Sequence, residues 1–128
     1  MRAFRHPRPL GRLCWGLTLL YWLALFAATH IPAPRLPPIP VKDKTAHFVG
    51  YGLLATALMV SLRASGRLRS TSAITVLAIL LAYGAIDEWT QALPFINRSC
   101  ELADWHADAA GTAVAVVVCS WLLRKRET

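Results

Sequence analysis

The hydrophobic residues of this chain are gathered into four long runs. No Asp, Glu, Lys or Arg falls within residues 13–29, 46–62, 73–86 or 109–123. A membrane-spanning helix needs about 20 mostly apolar residues. A soluble helix would show a polar face, whereas the third run has a single weakly polar residue, Thr75. The pattern therefore excludes a soluble helical bundle. It predicts an all-α integral membrane four-helix bundle, with helices over about residues 13–30, 44–62, 73–93 and 104–124.

The third and fourth runs are too short to cross a bilayer alone. Residues 73–86 would reach only about 21 Å at 1.5 Å per residue, against a bilayer core about 30 Å thick. To span, these helices must include polar neighbours. The neighbours are Asp87, Glu88 and Gln91 after the third run, and Asp104, His106 and Asp108 before the fourth. We therefore expect carboxylates at or inside the membrane boundary.

The segments between the runs favour particular connections. Residues 31–40 hold five of the eight prolines, which favours an extended outer loop between helices 1 and 2. That loop is interpreted as a semi-rigid spacer, with a ligand for a proline-binding partner as the alternative. The segment from Arg63 to Ser72 predicts a tight turn at Gly66. The first run follows a basic segment, so a cleaved signal peptide is a further alternative, but the run is longer than such signals usually are.

Composition sharpens this interpretation. The 128 residues are 55% hydrophobic and 16% charged, with a net charge of +7, which indicates a single domain and excludes disorder. Four spans place ten basic residues and Glu127 on one side, a net of +9, and four basic and six acidic residues on the other, a net of −2. The basic excess is therefore a topology signal rather than a nucleic-acid surface. It predicts that both termini are cytoplasmic.

Six of the seven acidic residues are predicted to lie on the outer side. Charged groups near a span usually face the interior of the bundle or a watery cavity, and spacings of four place several of these on shared helix faces. The predicted functional cluster, built from spans two to four, comprises Asp43, Lys44, His47, Tyr51, Asp87, Glu88, Gln91, Arg98, Asp104 and Asp108. His106 points to another side of its helix and is left out. In the fourth span, Ala103, Ala107, Gly111 and Ala115 form a small-residue row suited to close helix packing.

Four interpretations of the cluster stay open at this point. Asp, Glu and His could hold a divalent ion, although no zinc-like Cys/His spacing is present, and no metal or cofactor is the expectation. Crowded carboxyl groups could act as acid–base catalysts. The cluster could bind a lipid or cell-wall headgroup. Finally, it could be a purely structural network of buried polar groups.

Three short motifs in order resemble the VanZ-like family of small bacterial polytopic membrane proteins. They are DK-x2-HF-x2-Y at Asp43 to Tyr51, DE-x2-Q at Asp87 to Gln91, and, after Arg98, D-x3-D-x2-G at Asp104 to Gly111. The resemblance covers about residues 10–123. It departs from the family pattern at Asn97, where Gly is common, and at Asp108, where Asn is common. Because the founding member is associated with teicoplanin resistance, the resemblance implies a role in the cell envelope.

The expected function is that of a multi-pass protein of the bacterial inner membrane, in contact with membrane lipids. Its partner would be an envelope lipid, a cell-wall precursor or a glycopeptide, and nucleic acid is not expected. One alternative is a small membrane-embedded acid–base enzyme that uses Glu88 or Asp104 on an envelope lipid. Another is an accessory subunit of a membrane complex.

Overall fold

Four α-helices make up the computed structural model, which describes residues 9–32 and 43–124. They are α1 (Pro9–Thr29), α2 (Asp43–Ala64), α3 (Ser72–Gln91) and α4 (Leu102–Arg124), and the described residues contain no strand. Helices of 20 to 23 residues extend about 30 to 35 Å. All four are long and apolar enough to cross a membrane. The prediction of an all-α protein with four candidate spans is confirmed.

The helix bounds show how the short apolar runs reach this length. Helix α3 continues past Ile86 through Asp87 and Glu88 to Gln91, and α4 begins at Leu102, ahead of Asp104. Helix α1 begins at Pro9, four residues before the predicted start at residue 13. Proline is tolerated there because the first turn of a helix needs no backbone donor. The polar helix ends are thus integral parts of the candidate spans.

Helix α2 occupies the centre of the bundle and packs against each of the other three helices. The buried apolar core lies among α2, α3 and α4, with Tyr51, Leu54 and Leu80 among its members. Helix α1 packs mainly on α2, and much of its surface, including Leu13 and Leu20, is exposed. In a membrane that surface would contact lipid tails, which are as apolar as the leucines.

The connection after α2 is the tight turn that the sequence predicted. Gly66 has φ +68°, a left-handed conformation that glycine adopts without steric cost. Its N–H donates to the Arg63 carbonyl at 3.0 Å, and the Arg67 N–H donates to the Leu62 carbonyl at 2.8 Å. These two bonds satisfy the last carbonyls of α2 in the Schellman arrangement. The predicted proline-rich loop falls mostly within residues 33–42, which are outside the described residues. The ends of the chain are also outside them, so the orientation of the termini stays a prediction.

The closest helix approach joins α2 to α4. A Cβ atom at Gly111 would overlap the Phe48 carbonyl group, and a Cβ at Gly52 would lie 3.3 Å from the Gly111 carbonyl oxygen. Glycine therefore lets the two backbones come into contact. Gly111 is buried at this interface, but Ala103 of the predicted small-residue row is exposed. Phe48 and Gly111 lie within one turn of His47 and Asp108 on their helices, so the close contact also determines how near these polar side chains come.

Candidate functional site

A polar cluster lies at one end of the bundle, where α1 and α3 end and α2 and α4 begin. The loop of residues 92–101 closes this end. All ten predicted residues lie at this end or, in the case of Tyr51, one turn deeper. Seven of them are buried, with at most 4% of each residue exposed: His47, Tyr51, Asp87, Glu88, Gln91, Asp104 and Asp108. A concentration of buried ionisable groups on this scale is costly unless the groups are paired or bind something.

His47, Glu88 and Asp108 form the centre of the cluster. The His47 Nδ1 atom lies 2.9 Å from Asp108 Oδ1 and 3.9 Å from Glu88 Oε1. Since a carboxylate oxygen only accepts, the shorter contact is a hydrogen bond from Nδ1–H to Asp108. The other ring nitrogen, Nε2, lies 4.0 Å from the Asp43 carboxylate. The imidazole is thus surrounded by three carboxyl groups from α2, α3 and α4.

Small and aromatic residues pack against this centre on the side nearer the middle of the bundle. A Cβ at Gly84 would lie 3.3 Å from Asp108 Oδ2 and 3.5 Å from a Tyr51 ring carbon, so the glycine leaves room for both side chains. The Tyr51 ring stacks on Tyr83 with centroids 5.6 Å apart. The Trp105 indole N–H donates to the Leu81 carbonyl at 3.0 Å, which anchors the start of α4 to α3.

Helix α1 completes one side of the cluster, which corrects the prediction that spans two to four build it. The Thr29 hydroxyl donates to Asp87 Oδ1 at 3.0 Å, and the Gln91 amide donates to Asp87 Oδ2 at 3.1 Å. His30 Nδ1 lies 3.7 Å from the same carboxylate, while its Nε2 contacts the Thr90 hydroxyl at 2.8 Å. Both oxygens of Asp87 are therefore satisfied within the protein.

Two cations lie at the rim. Lys44 Nζ is 3.3 Å from Glu101 Oε2 and 3.5 Å from Asp104 Oδ1. Arg98 Nη2 is 3.5 Å from Asp43, and its Nη1 donates to the Thr29 carbonyl at 3.1 Å. The guanidinium group thereby ties the loop after α3 to the ends of α1 and α2.

Asn97 sets the turn that presents this arginine. It has φ 53°, in the left-handed region that glycine and asparagine tolerate better than other residues. The Arg98 N–H then donates back to the Gln91 carbonyl at 3.3 Å. The departure from the resembled family at Asn97 is therefore compatible with the backbone that the turn requires.

Glu101 links the rim to the centre. Its backbone N–H donates to Glu88 Oε2 at 3.1 Å, and its own carboxylate accepts from the Ser99 hydroxyl at 3.1 Å. The hydrogen bond from Lys44, together with that from Ser99, lowers the pKa of the Glu101 carboxyl group below its ordinary value. Glu101 is therefore an anion at neutral pH, at the entrance to the cluster.

Several buried oxygen atoms of the cluster accept no hydrogen bond from any described residue. They are Glu88 Oε1, Asp104 Oδ1, Asp108 Oδ2 and the Tyr51 hydroxyl oxygen, and the buried hydroxyl groups of Tyr83 and Thr112 also have no partner among the described residues. Asp104 Oδ1 has the long contact to Lys44, but the Glu88 and Asp108 carboxyl groups have no close cation other than His47 among the described residues. Buried acceptors normally have partners, so these atoms indicate room for a hydrogen-bond donor or a cation from outside the chain.

The prediction from sequence named most of this cluster but missed Thr29, His30, Thr90 and Glu101. The position of His30 just after the first run is a signal that it shares the depth of Asp87. Glu101 directly precedes α4, which is a similar signal. His106 is exposed, in agreement with its exclusion.

Chemically, the cluster can hold a cation, bind a donor-rich headgroup or exchange protons. Two groups of His, Asp and Glu side chains have donor atoms close enough for one ion: Asp43–His47–Asp104 and His47–Glu88–Asp108. Comparisons with protein-family models, curated proteins and solved structures found no match to this chain. The resemblance to the VanZ-like family therefore stays a prediction, and the geometry alone supports the proposals below.

Proposed function

We propose that this multi-pass membrane protein binds the polar headgroup of an amphiphilic ligand at the cluster. The single observation that carries the proposal is the set of buried carboxyl oxygens without hydrogen-bond partners among the described residues, near the ends of candidate membrane spans. A ligand with hydroxyl or ammonium groups would supply the missing donors. Its lipid tail would lie beside the helices, in the layer where the bundle itself is apolar.

The surroundings of the cluster fit such a ligand. Trp89, Phe95 and Leu102 are 67%, 74% and 68% exposed, and they flank the polar residues in sequence. Aromatic side chains at this level are typical of the membrane interface. Lys44 and Arg98 at the rim are positioned to meet a phosphate or carboxylate of the same ligand. A ligand with both donors and an anionic group would therefore be complementary to the cluster and its rim.

The class of ligand follows from the proposed setting. The distribution of basic residues favours cytoplasmic termini and a cluster at the outer face of the bacterial inner membrane. Together with the motif resemblance, this favours an envelope lipid, a lipid-linked cell-wall precursor or a lipoglycopeptide such as teicoplanin. These share an apolar tail and a sugar- or phosphate-rich headgroup.

Binding to the purified protein in nanodiscs tests the proposal. We expect native mass spectrometry to show one retained ligand from a mixture of phospholipid, lipid-linked precursor and lipoglycopeptide, and the retained species identifies the class. Glu88→Gln and Arg98→Gln should each weaken binding at least tenfold, whereas Leu13→Ala on the exposed face of α1 should not. Equal retention by all variants would contradict headgroup binding at the cluster.

A second candidate function is acid–base catalysis on an envelope lipid. The observation that favours it is the His47–Asp108 hydrogen bond of 2.9 Å beside the unpartnered Glu88 oxygen, an arrangement in which one carboxylate orients an imidazole. Here the prediction is turnover of the retained lipid by wild-type protein and none by Glu88→Gln or Asp104→Asn. A lipid that is bound but unchanged after long incubation would leave binding as the function. If a variant fails only to assemble into a larger membrane complex, the protein would instead be an accessory subunit of that complex.

A further inference from the structure

The centre of the cluster has the features of a metal site. His47, Glu88 and Asp108 each offer one donor atom, and the three atoms lie within 4.8 Å of one another. All three residues are buried, with 4%, 3% and 1% of their surface exposed. They come from three different helices, so the packing of the bundle and not the local sequence brings them together.

The oxygen atoms without partners are a second observation, independent of the grouping of donor atoms, that indicates a ligand. Glu88 uses Oε2 to accept the Glu101 N–H, and Asp108 uses Oδ1 to accept from His47. The second oxygen of each carboxylate, Glu88 Oε1 and Asp108 Oδ2, accepts no hydrogen bond from the described part of the chain. A buried carboxyl group is stable when it is paired with a cation or protonated, and one imidazole cannot pair with both of these groups.

We propose that His47, Glu88 and Asp108 bind one divalent first-row transition-metal ion, with Zn²⁺ and Mn²⁺ as the leading candidates. One imidazole nitrogen and two carboxylate oxygens form a mixed set that suits these ions better than the all-oxygen preference of Ca²⁺ or Mg²⁺. Donor atoms about 2.0 to 2.2 Å from a shared ion lie roughly 2.9 to 3.5 Å apart. The observed 2.9 Å from His47 Nδ1 to Asp108 lies within that range, and the 3.9 Å to Glu88 lies slightly above it, so Glu88 would have to move closer on metal binding.

The ion would take the place of the proton between His47 Nδ1 and Asp108 Oδ1, and an Asp108 carboxylate that binds it through both oxygens would also give Oδ2 a partner. Metal binding by an imidazole requires the neutral ring and releases that proton. The remaining ring proton would then be on Nε2, which lies 4.0 Å from Asp43 Oδ1. A carboxylate near the distal nitrogen of a ligating histidine is the usual second-sphere partner. Asp43 would have to move closer to accept that proton, and it is already paired with Arg98 at 3.5 Å, so it is not counted among the ligands.

The rival group, Asp43–His47–Asp104, is less suited to an ion. Asp43 is already 3.5 Å from Arg98, and Asp104 is 3.5 Å from Lys44. These cations neutralise the rim carboxylates, whereas the free oxygens of Glu88 and Asp108 have no such partner among the described residues. The metal site is thus assigned to the deeper group.

Metal titration of the full chain in detergent, after treatment with a chelator, tests the assignment. Zn²⁺ and Mn²⁺ are added separately in competition with a chromogenic chelator, and bound metal is counted by mass spectrometry. We expect one equivalent per chain. Glu88→Gln and Asp108→Asn should each lower the affinity at least tenfold. The control Leu13→Ala lies on the exposed face of α1, away from the cluster, and should change the affinity less than twofold.

X-ray absorption of the loaded wild-type protein provides a readout that does not depend on the variants. We expect one imidazole nitrogen and otherwise oxygen ligands around the ion. Binding of less than 0.1 equivalent, sulfur in the coordination sphere, or loss of binding in Asp104→Asn but not in Asp108→Asn would each overturn the assignment. The ion and the donors of a headgroup would use the same oxygens, Glu88 Oε1 and Asp108 Oδ2, so each occupant is tested without the other. No headgroup is present in the titration, so a failure of the metal site is distinguishable from a failure of headgroup binding.

Discussion

Replacement of Gly111 by alanine tests whether the contact between α2 and α4 holds the cluster together. The added methyl group would lie 2.9 Å from the Phe48 carbonyl carbon and 3.1 Å from its Cα. Carbon atoms in contact prefer separations of about 3.5 to 4.0 Å, so the helices must separate by roughly 0.6 Å or more. Both surfaces are backbone, and no side-chain rotation can relieve the overlap.

The magnitude follows from this overlap. Overpacking of a close interface typically costs about 1 to 3 kcal/mol, and we expect Gly111→Ala to lower the free energy of unfolding by that amount. Gly16→Ala is the matched control, because no atom of the described residues lies within 4 Å of a Cβ at Gly16. In that variant the higher helix propensity of alanine leaves the free energy unchanged or raises it by up to about 1 kcal/mol.

Equilibrium unfolding of both variants in mixed micelles, followed by circular dichroism, measures these differences. The separation should also lengthen the 2.9 Å contact between His47 and Asp108, since these residues lie within one turn of Phe48 and Gly111. Gly111→Ala should therefore weaken headgroup and metal binding as well as stability. A Gly111→Ala protein as stable as the wild type would refute the proposed role of the glycine contact.

Three further predictions concern the rim, the topology and the far end of the bundle. Lys44 and Ser99 lower the pKa of Glu101, so their contacts contribute to stability at neutral pH, and this contribution is lost as the pH falls through the lowered pKa. In a carbon-13 titration, Lys44→Gln should raise the Glu101 pKa towards its ordinary value. An unchanged pKa would contradict the contact. Exposed Cys100 should react with an impermeant maleimide added outside intact cells, whereas labelling from the cytoplasm alone would reverse the proposed orientation. The Thr18–Ser61 hydrogen bond of 2.8 Å should give a coupling of about 0.6 kcal/mol in a double-mutant cycle of Thr18→Val and Ser61→Ala, as is typical inside membranes, and zero coupling would show that the bond adds nothing.

The buried carboxyl groups differ in how well the protein itself satisfies them. Asp87 receives hydrogen bonds on both oxygens, from Thr29 and Gln91, and this pattern fits a structural role in joining α1 to α3. Glu88 and Asp108 each keep one oxygen without a hydrogen bond from the described residues. The cluster therefore contains both satisfied and unsatisfied carboxyl groups, and a functional test is best directed at Glu88 and Asp108.

The sequence by itself determined the four candidate spans and the concentration of polar residues at helix ends. Hydropathy is a local property, and a run such as residues 73–86 without a charged side chain needs no tertiary context to be recognised as apolar. The spacing of Asp43, His47 and Tyr51, and of Asp104 and Asp108, placed these side chains on shared helix faces. These local patterns were enough to predict that all ten candidate residues lie in one cluster.

Only the tertiary structure decided which of these side chains meet. The His47–Asp108 contact, the unpartnered oxygen of Glu88 and the contribution of Thr29 all join residues far apart in sequence. They depend on helix rotation and on the close approach at Gly111. Helical periodicity sets the face of each helix, but the partner of that face depends on packing between helices. The division between satisfied and unsatisfied carboxylates, on which the proposed functions rest, is therefore a property of the assembled bundle.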